Sequence, residues 1–148
     1  MKAYSFQNCV VLVNGVEITN WSDGDDVLDI KRRKNSIEDK VGADGKMMMT
    51  IGSDKSGSFT FKLQATSPSN KFLGAIQSLG EAGAQTFVPV TVQFLDTYRN
   101  DMSIGTVGYI TKPADIKRGA SAGDTEWEIV VENLNTLLGD AADILAGA

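Results

Sequence analysis

Between Ser56 and Leu79 the hydrophobic period changes once, and that change restricts what the chain can build. Up to Ala65 the residues Phe59, Phe61, Leu63 and Ala65 alternate with Ser58, Thr60, Lys62 and Gln64. Successive side chains of an extended strand point to opposite faces, so this stretch reads as a strand with one greasy and one wet side. From Ser67 the spacing becomes helical. Ser67 suits an N-cap and Pro68 suits the first helical position. Phe72, Leu73, Ile76 and Leu79 then form one apolar packing stripe, which Gly80 is expected to stop. A half-wet strand that feeds directly into an amphipathic helix requires that helix to pack on the strand's greasy side.

The rest of the chain supplies partners for that strand. Cys9–Val13 reads as a strand, and Asn14-Gly15 as a two-residue hairpin turn, since both positions accept positive φ. Val16-Glu17-Ile18 returns as its partner. Asn20 to Asp26 has turn chemistry throughout, and a strand is expected over Val27–Arg32, followed by weak alternation in Ile37–Val41. After the helix, Phe87–Leu95 reads as a strand with Val88, Val90, Val92 and Phe94 inward and Thr91 and Gln93 outward. Pro89 cannot donate to a ladder, so its start is unpaired or at an edge. Arg99-Asn100-Asp101 reads as a turn into a strand over Met102–Thr111, where Gly105 and Gly108 suggest bulges or close approach. The last strand is Thr125–Val131, extendable to Leu137, with Trp127, Ile129 and Val131 inward and Glu126 and Glu128 outward. Residues 139–148 read as a short helix or a mobile tail. The total is roughly seven or eight strands and one helix with no βαβ rhythm, hence a mainly-β fold: an antiparallel sandwich or partial barrel with one flanking helix. At 148 residues a single domain is expected.

Gly42 to Gly57 is the least core-like stretch. A turn is expected at Ala43–Gly45, yet Met47, Met48 and Met49 follow in a row. Three consecutive methionines cannot all face one core in an extended chain. Either the run is buried only on association, which the flexible thioether suits, or it is a buried hairpin arm with Met48 outward.

Composition excludes much chemistry. Histidine is absent and there is one cysteine, Cys9, inside an apolar run that favours a buried, inert thiol. Thiolate–imidazole metal sites and histidine-assisted nucleophilic catalysis are therefore excluded. The net charge of −5, with no basic half, argues against gripping nucleic acid through phosphates. No apolar run approaches the ~20 residues of a membrane span, and no signal-peptide core opens the chain, so neither a membrane nor general secretory export is expected. Asp23-Gly24-Asp25-Asp26 with Asp29 fails as a calcium loop because Lys34 stands where a twelfth-position glutamate is needed. Lys31-Arg32-Arg33-Lys34 splits its charges between two faces if extended and reads as ion pairing to a neighbouring strand or subunit. No catalytic residue, cofactor or metal site is expected.

Several segments, in order, are similar to the tail tube protein family of contractile-tailed bacteriophages. They are Lys2-Ala3-Tyr4-Ser5-Phe6, Asn14-Gly15-Val16-Glu17-Ile18, Trp21-Ser22-Asp23-Gly24-Asp25-Asp26, Val41-Gly42-Ala43-Asp44-Gly45, Ser56-Gly57-Ser58, Thr66-Ser67-Pro68-Ser69-Asn70, Lys112-Pro113 and Glu126-Trp127. The resemblance implies a structural virion subunit, assembled in the host cytoplasm, that forms stacked hexameric rings. Strands of each subunit would join a ring-wide barrel, and the tube would conduct DNA inside a contractile sheath. Implied partners are copies of the chain, a sheath protein, a tape measure protein and DNA passing without specific binding. On this reading Ser58, Thr60, Lys62 and Gln64 face the lumen, with Thr91, Gln93, Glu126 and Glu128 next. A hairpin over about Val41–Ser56 would reach a neighbouring subunit or ring through Val41, Gly42, Asp44, Gly45, Met47, Met48, Met49 and Ile51. The competing reading is a monomeric β-sandwich that binds protein or carbohydrate through loops Asn20–Asp26 and Ala114–Asp124.

Overall fold

A computed structural model describes residues 6–23, 26–116 and 123–139. A 3-10 turn, Phe6–Asn8, leads into β1 (Cys9–Val13). Asn14 and Gly15 both take positive φ, 50° and 83°, the geometry of the tight hairpin turn their sequence favours, and return the chain as β2 (Val16–Glu17). There follow β3 (Leu28–Arg32), β4 (Ile37–Val41), β5 (Met47–Ile51), β6 (Gly57–Gln64), α1 (Ser69–Ala82), β7 (Val90–Asp96), β8 (Asp101–Ile110) and β9 (Asp124–Leu137). All ladders are antiparallel. Seven strands form one sheet in the order β2-β1-β7-β8-β9-β6-β3, and β4 and β5 form a separate two-stranded ribbon.

The link after β2 draws the two ends of this sheet together. Ile18 N–H still donates to Val11 C=O at 2.9 Å, while Ser22 N–H donates to Lys62 C=O and Gln64 N–H to Asn20 C=O, both at 2.9 Å. Trp21 bridges Leu63 and stacks edge-on between Phe6 and Phe61. Among the described residues the fold is mainly β, an antiparallel partial barrel or sandwich with one α-helix. Its interior holds the greasy side of β6, with Phe59, Phe61 and Leu63 fully buried among Val11, Val13, Val90, Val92, Ile129, Val131 and Leu134. Each such burial contributes about 1.5–3 kcal/mol. Every buried side-chain polar atom among the described residues has a hydrogen-bond partner.

The helix packs where the period change requires, with Leu73 fully buried in that interior and Phe72 and Ile76 partly buried against it. Ser67 Oγ accepts from Ser69 N–H at 3.2 Å, the capping role its sequence position predicts, and donates to Thr19 C=O at 2.7 Å. Asn70 clamps the first turn to the sheet: its amide donates to Gln64 C=O at 3.0 Å and its Oδ1 accepts from Trp127 Nε1 at 2.9 Å. Two expectations fail here. The helix runs through Gly80 to Ala82, because Gly80 keeps a negative φ and the chain leaves the helical region only at Gly83, whose φ is 149°. Leu79 is 45% exposed and does not pack. It lies six residues beyond Leu73, roughly 120° around a helix that turns about 100° per residue. Gln77 is buried in its place and donates to Glu81 Oε2 at 3.1 Å.

β7 begins one residue after Pro89, so Val88, expected inward, is 38% exposed. The inward series on β8 shifts from Ser103 and Gly105 to Gly108 and Ile110, and that on β9 from Val131 to Leu134. Val107 takes a positive φ of 54° at this slip, and β8 carries one extra residue against β7 between Gly105 and Gly108. The expected close approach at both glycines is present. A Cβ at Gly105 would stand 2.7 Å from Phe59 Cε1, and one at Gly108 would stand 2.8 Å from Val131 Cγ1. Tyr4, Gly24, Asp25 and the tail expected beyond Gly139 lie outside the described residues, as do residues 117–122 of the loop before β9. No helix among the described residues is long and apolar enough to cross a membrane.

Candidate assembly interface

The β4–β5 ribbon is the feature a lone chain does not explain. Alternation and pairing place Ile37 opposite Ile51, Asp39 opposite Met49 and Val41 opposite Met47 on one side, with Glu38–Thr50 and Lys40–Met48 on the other. One face is therefore apolar apart from Asp39. Nothing among the described residues covers it, and its large apolar side chains are exposed from 55% at Ile37 to 72% at Ile51. All three methionines are exposed, which removes the buried-hairpin alternative within one chain. The tip is a turn in which Gly42 N–H donates to Lys46 C=O at 2.8 Å and Asp44 Oδ1 accepts from Lys46 N–H at 3.2 Å. Gly45 takes φ +81° there, the left-handed backbone that favours glycine.

The arm is thus Ile37–Ile51 rather than Val41–Ser56. The weak alternation of Ile37–Val41 is its first strand, a signal present in the sequence as apolar residues at both ends of a charged triplet. Residues 52–56 belong to its base. There Gly52 N–H donates to Ser36 C=O at 2.9 Å and Arg33 N–H to Ser56 C=O at 3.1 Å. Asp54 Oδ1 accepts from the Ser56 hydroxyl at 2.6 Å and the Ser56 N–H at 2.9 Å, and its other oxygen meets Lys34 Nζ at 3.9 Å. The Ser56 hydroxyl first, then its N–H, hold the Asp54 carboxyl below the usual aspartate range, with the charges of Lys34 and Arg33 adding to them. The basic run thus pairs partly with the chain's own returning link, residues 52–56.

The second surface is the wet side of the sheet. Thr60 stands opposite Glu128, Lys62 opposite Glu126 and Gln64 opposite Asp124, with Asp29 of β3 beside Thr60. Thr60 and Lys62 are half-buried, whereas Gln64, Glu126 and Glu128 are exposed. A cleft of about 530 Å³ opens along this face between Lys62, Glu126, Glu128, Asp124 and the Lys112–Asp115 segment. Asp29 and Asp124 were not among the expected face residues. Asp124 was one period-two step from Glu126, while Asp29 becomes visible only through cross-strand register. Opposite charges directly across an antiparallel pair, as at Lys62 and Glu126, contribute roughly 0.2–1 kcal/mol.

Five of the expected wet residues, Ser58, Thr60, Gln64, Thr91 and Gln93, do not line that cleft, although Thr60 and Gln64 share its face. Ser58 shares the face but is 6% exposed, a small side chain flanked by Lys31 and Val130 on the adjoining strands. Thr91 and Gln93 face outward on β7, beyond β8. Gln93 is in the row of Ile104 and Asn135, and Asn135 is seven positions along β9 from Glu128, roughly 23 Å of extended strand. β3 and β2 are the two ends of the seven-stranded sheet, so each presents an edge without a strand partner among the described residues.

Comparison with known proteins bears on the fold and on the family. Among solved structures, the fold is similar to the anti-feeding prophage tube-terminating cap, with a TM-score of 0.61, 9% identity, and coverage of 94% of this chain and 93% of that one. The sheath/tube terminator of the extracellular contractile injection system PVC gives a TM-score of 0.59 at 10% identity, covering 93% and 98%. The sheath–tube complex of that system gives 0.52 at 11% identity, covering 88% of each chain. At these identities the likeness establishes a shared fold. No curated protein matches the sequence. The family model of the bacteriophage PhiTE tail tube protein matches residues 1–139, and the chain belongs to that family of structural tube proteins.

Proposed function

We propose that the chain is the repeating subunit of a phage tail tube built from stacked hexameric rings inside a contractile sheath, and that the tube conducts DNA. The observation that carries this reading is the arm: five large apolar side chains on one face of a ribbon, held in water by a chain whose own core is complete. Apolar patches of this kind mark association surfaces. The open margins at β3 and β2 support the same reading, since joining strands of adjacent subunits into one large barrel removes edges that otherwise aggregate. The β6–β9 wet face then lines the channel through Thr60, Lys62, Gln64, Glu126 and Glu128, joined by Asp29 and Asp124. Its excess of carboxylates lets DNA pass without adhering. Copies of the chain, the sheath protein and the tape measure protein are the partners. The monomeric binding module explains neither the family membership nor the arm.

The test is assembly with and without the arm. The full chain is expected to give rings or tubes by negative-stain microscopy and to sediment as polymer. A variant with Ile37–Ile51 replaced by a short Gly-Ser link is expected to keep the native circular-dichroism spectrum and remain small. Normal tubes from the deletion variant would refute the role of the arm.

A further inference from the structure

The chain leaves the large sheet at the end of β3 and re-enters it at Gly57, so the arm joins the body through two single-chain links. Contacts of Gly52 with Ser36, Arg33 with Ser56 and Lys34 with Asp54 join these links to each other, so the ribbon swings as one piece unless a group ties its root to the body. Arg32, the last residue of β3 and half-buried, does so. Its Nε and Nη2 donate to Leu134 C=O at 3.1 and 2.8 Å, and its Nη1 donates to Ser36 Oγ at 2.7 Å. Leu134 belongs to β9, on the far side of β6, whereas Ser36 directly precedes β4. Leu134 N–H also donates to Lys55 C=O, on the returning link, at 2.8 Å. Both backbone groups of one body residue therefore hold the arm's root. Two features make this possible. The slip in β9 brings Leu134 inward one position late, and Gly57 lets it approach β6: a Cβ there would stand 2.8 Å from Leu134 Cβ and 2.9 Å from Lys31 O.

We infer that Arg32 is the positioning residue that aims the assembly arm, its guanidinium joining the carbonyl of Leu134 to the hydroxyl of Ser36. The inference rests on the assembly role proposed above for the arm. A planar fork with several fixed donors spans two acceptors that lie apart, and an ammonium at the end of a flexible stem does not. Arg32→Lys therefore keeps the charge and loses the aim.

The experiment reads direction and assembly separately. Spin labels on Asp44→Cys at the tip and Ser78→Cys on the helix, in a Cys9→Ser background, give the tip-to-body distance in unassembled protein. The native clamp is expected to give one narrow distribution. Arg32→Met and Arg32→Lys are expected to broaden it and to raise the critical concentration for tube formation at least tenfold. Ser36→Ala, which leaves the body untouched, is expected to broaden it as well, while Ser36→Thr retains the hydroxyl and behaves as native. Should Arg32→Met not fold, the two Ser36 variants decide the matter. An unchanged distance width in Arg32→Met or Ser36→Ala overturns the inference, as does Arg32→Met assembling at the native concentration while the arm deletion blocks tubes. Tubes from the deletion variant overturn the arm's assembly role instead, and the distance width still decides whether Arg32 sets its direction.

Discussion

At Gly105 the neighbouring strands occupy the space a methyl group would take, with Phe59 and Val131 within 2.9 Å of a Cβ. Both neighbours are buried core side chains with nowhere to retreat. Gly105→Ala is therefore expected to lower stability by about 1–3 kcal/mol, the range for overpacking a filled interior. Urea denaturation reads this as a lower midpoint, and an unchanged midpoint would mean that the strands yield. Asp54 makes a different kind of contribution. Its carboxyl is held below the usual aspartate range by Ser56 and the nearby cations, so the folded chain prefers it ionised. The sign follows from linkage: the contact is present above the ordinary aspartate range and is lost as pH falls through the depressed value. Carbon-detected NMR titration should place Asp54 below the ordinary aspartate value, and Ser56→Ala should return it toward that value.

The helix separates what an element's sequence declares from what its neighbours decide. Its existence, its cap at Ser67 and the packing of Leu73 all follow from local spacing and chemistry, and so do the strands β1, β6, β8 and β9. Leu79 and Gln77 do not follow from residue type, because which stripe faces inward is set by the sheet beneath. Leu73→Ala is expected to cost about 2–5 kcal/mol, against less than about 0.5 for Leu79→Ala. Equal losses in thermal unfolding would mean that the helix sits rotated from its position here. Ser58 and Val88 show the same limit in strands. Alternation gave Ser58 its face, but only its flanking strands cover it, and Val88 is outward because Pro89 delays the ladder by one residue.

For the whole molecule, the candidate surfaces were legible in proportion to how local their signal is. The methionine run declared an unusual surface through residues adjacent in sequence. The wet face is assembled from β3, β6 and β9, far apart in the chain, so its inclusion of Asp29 and its exclusion of Thr91 and Gln93 needed the register. If that face lines a channel, Glu126→Lys with Glu128→Lys should leave tubes intact but make them retain short duplex DNA at low salt and release it as salt rises. Co-sedimentation of DNA with native and variant tubes checks this, and equal retention by both would move the lumen elsewhere. The ribbon inserted between β3 and β6 has one more consequence. Adding two residues to each of its strands extends the tip by roughly 7 Å without altering the large sheet or exchanging the two faces, whereas adding one to each turns the oily side away from whatever the arm docks on, if it docks as proposed. On the proposed assembly, arms of different reach on one body then differ only in even-numbered increments of this ruler.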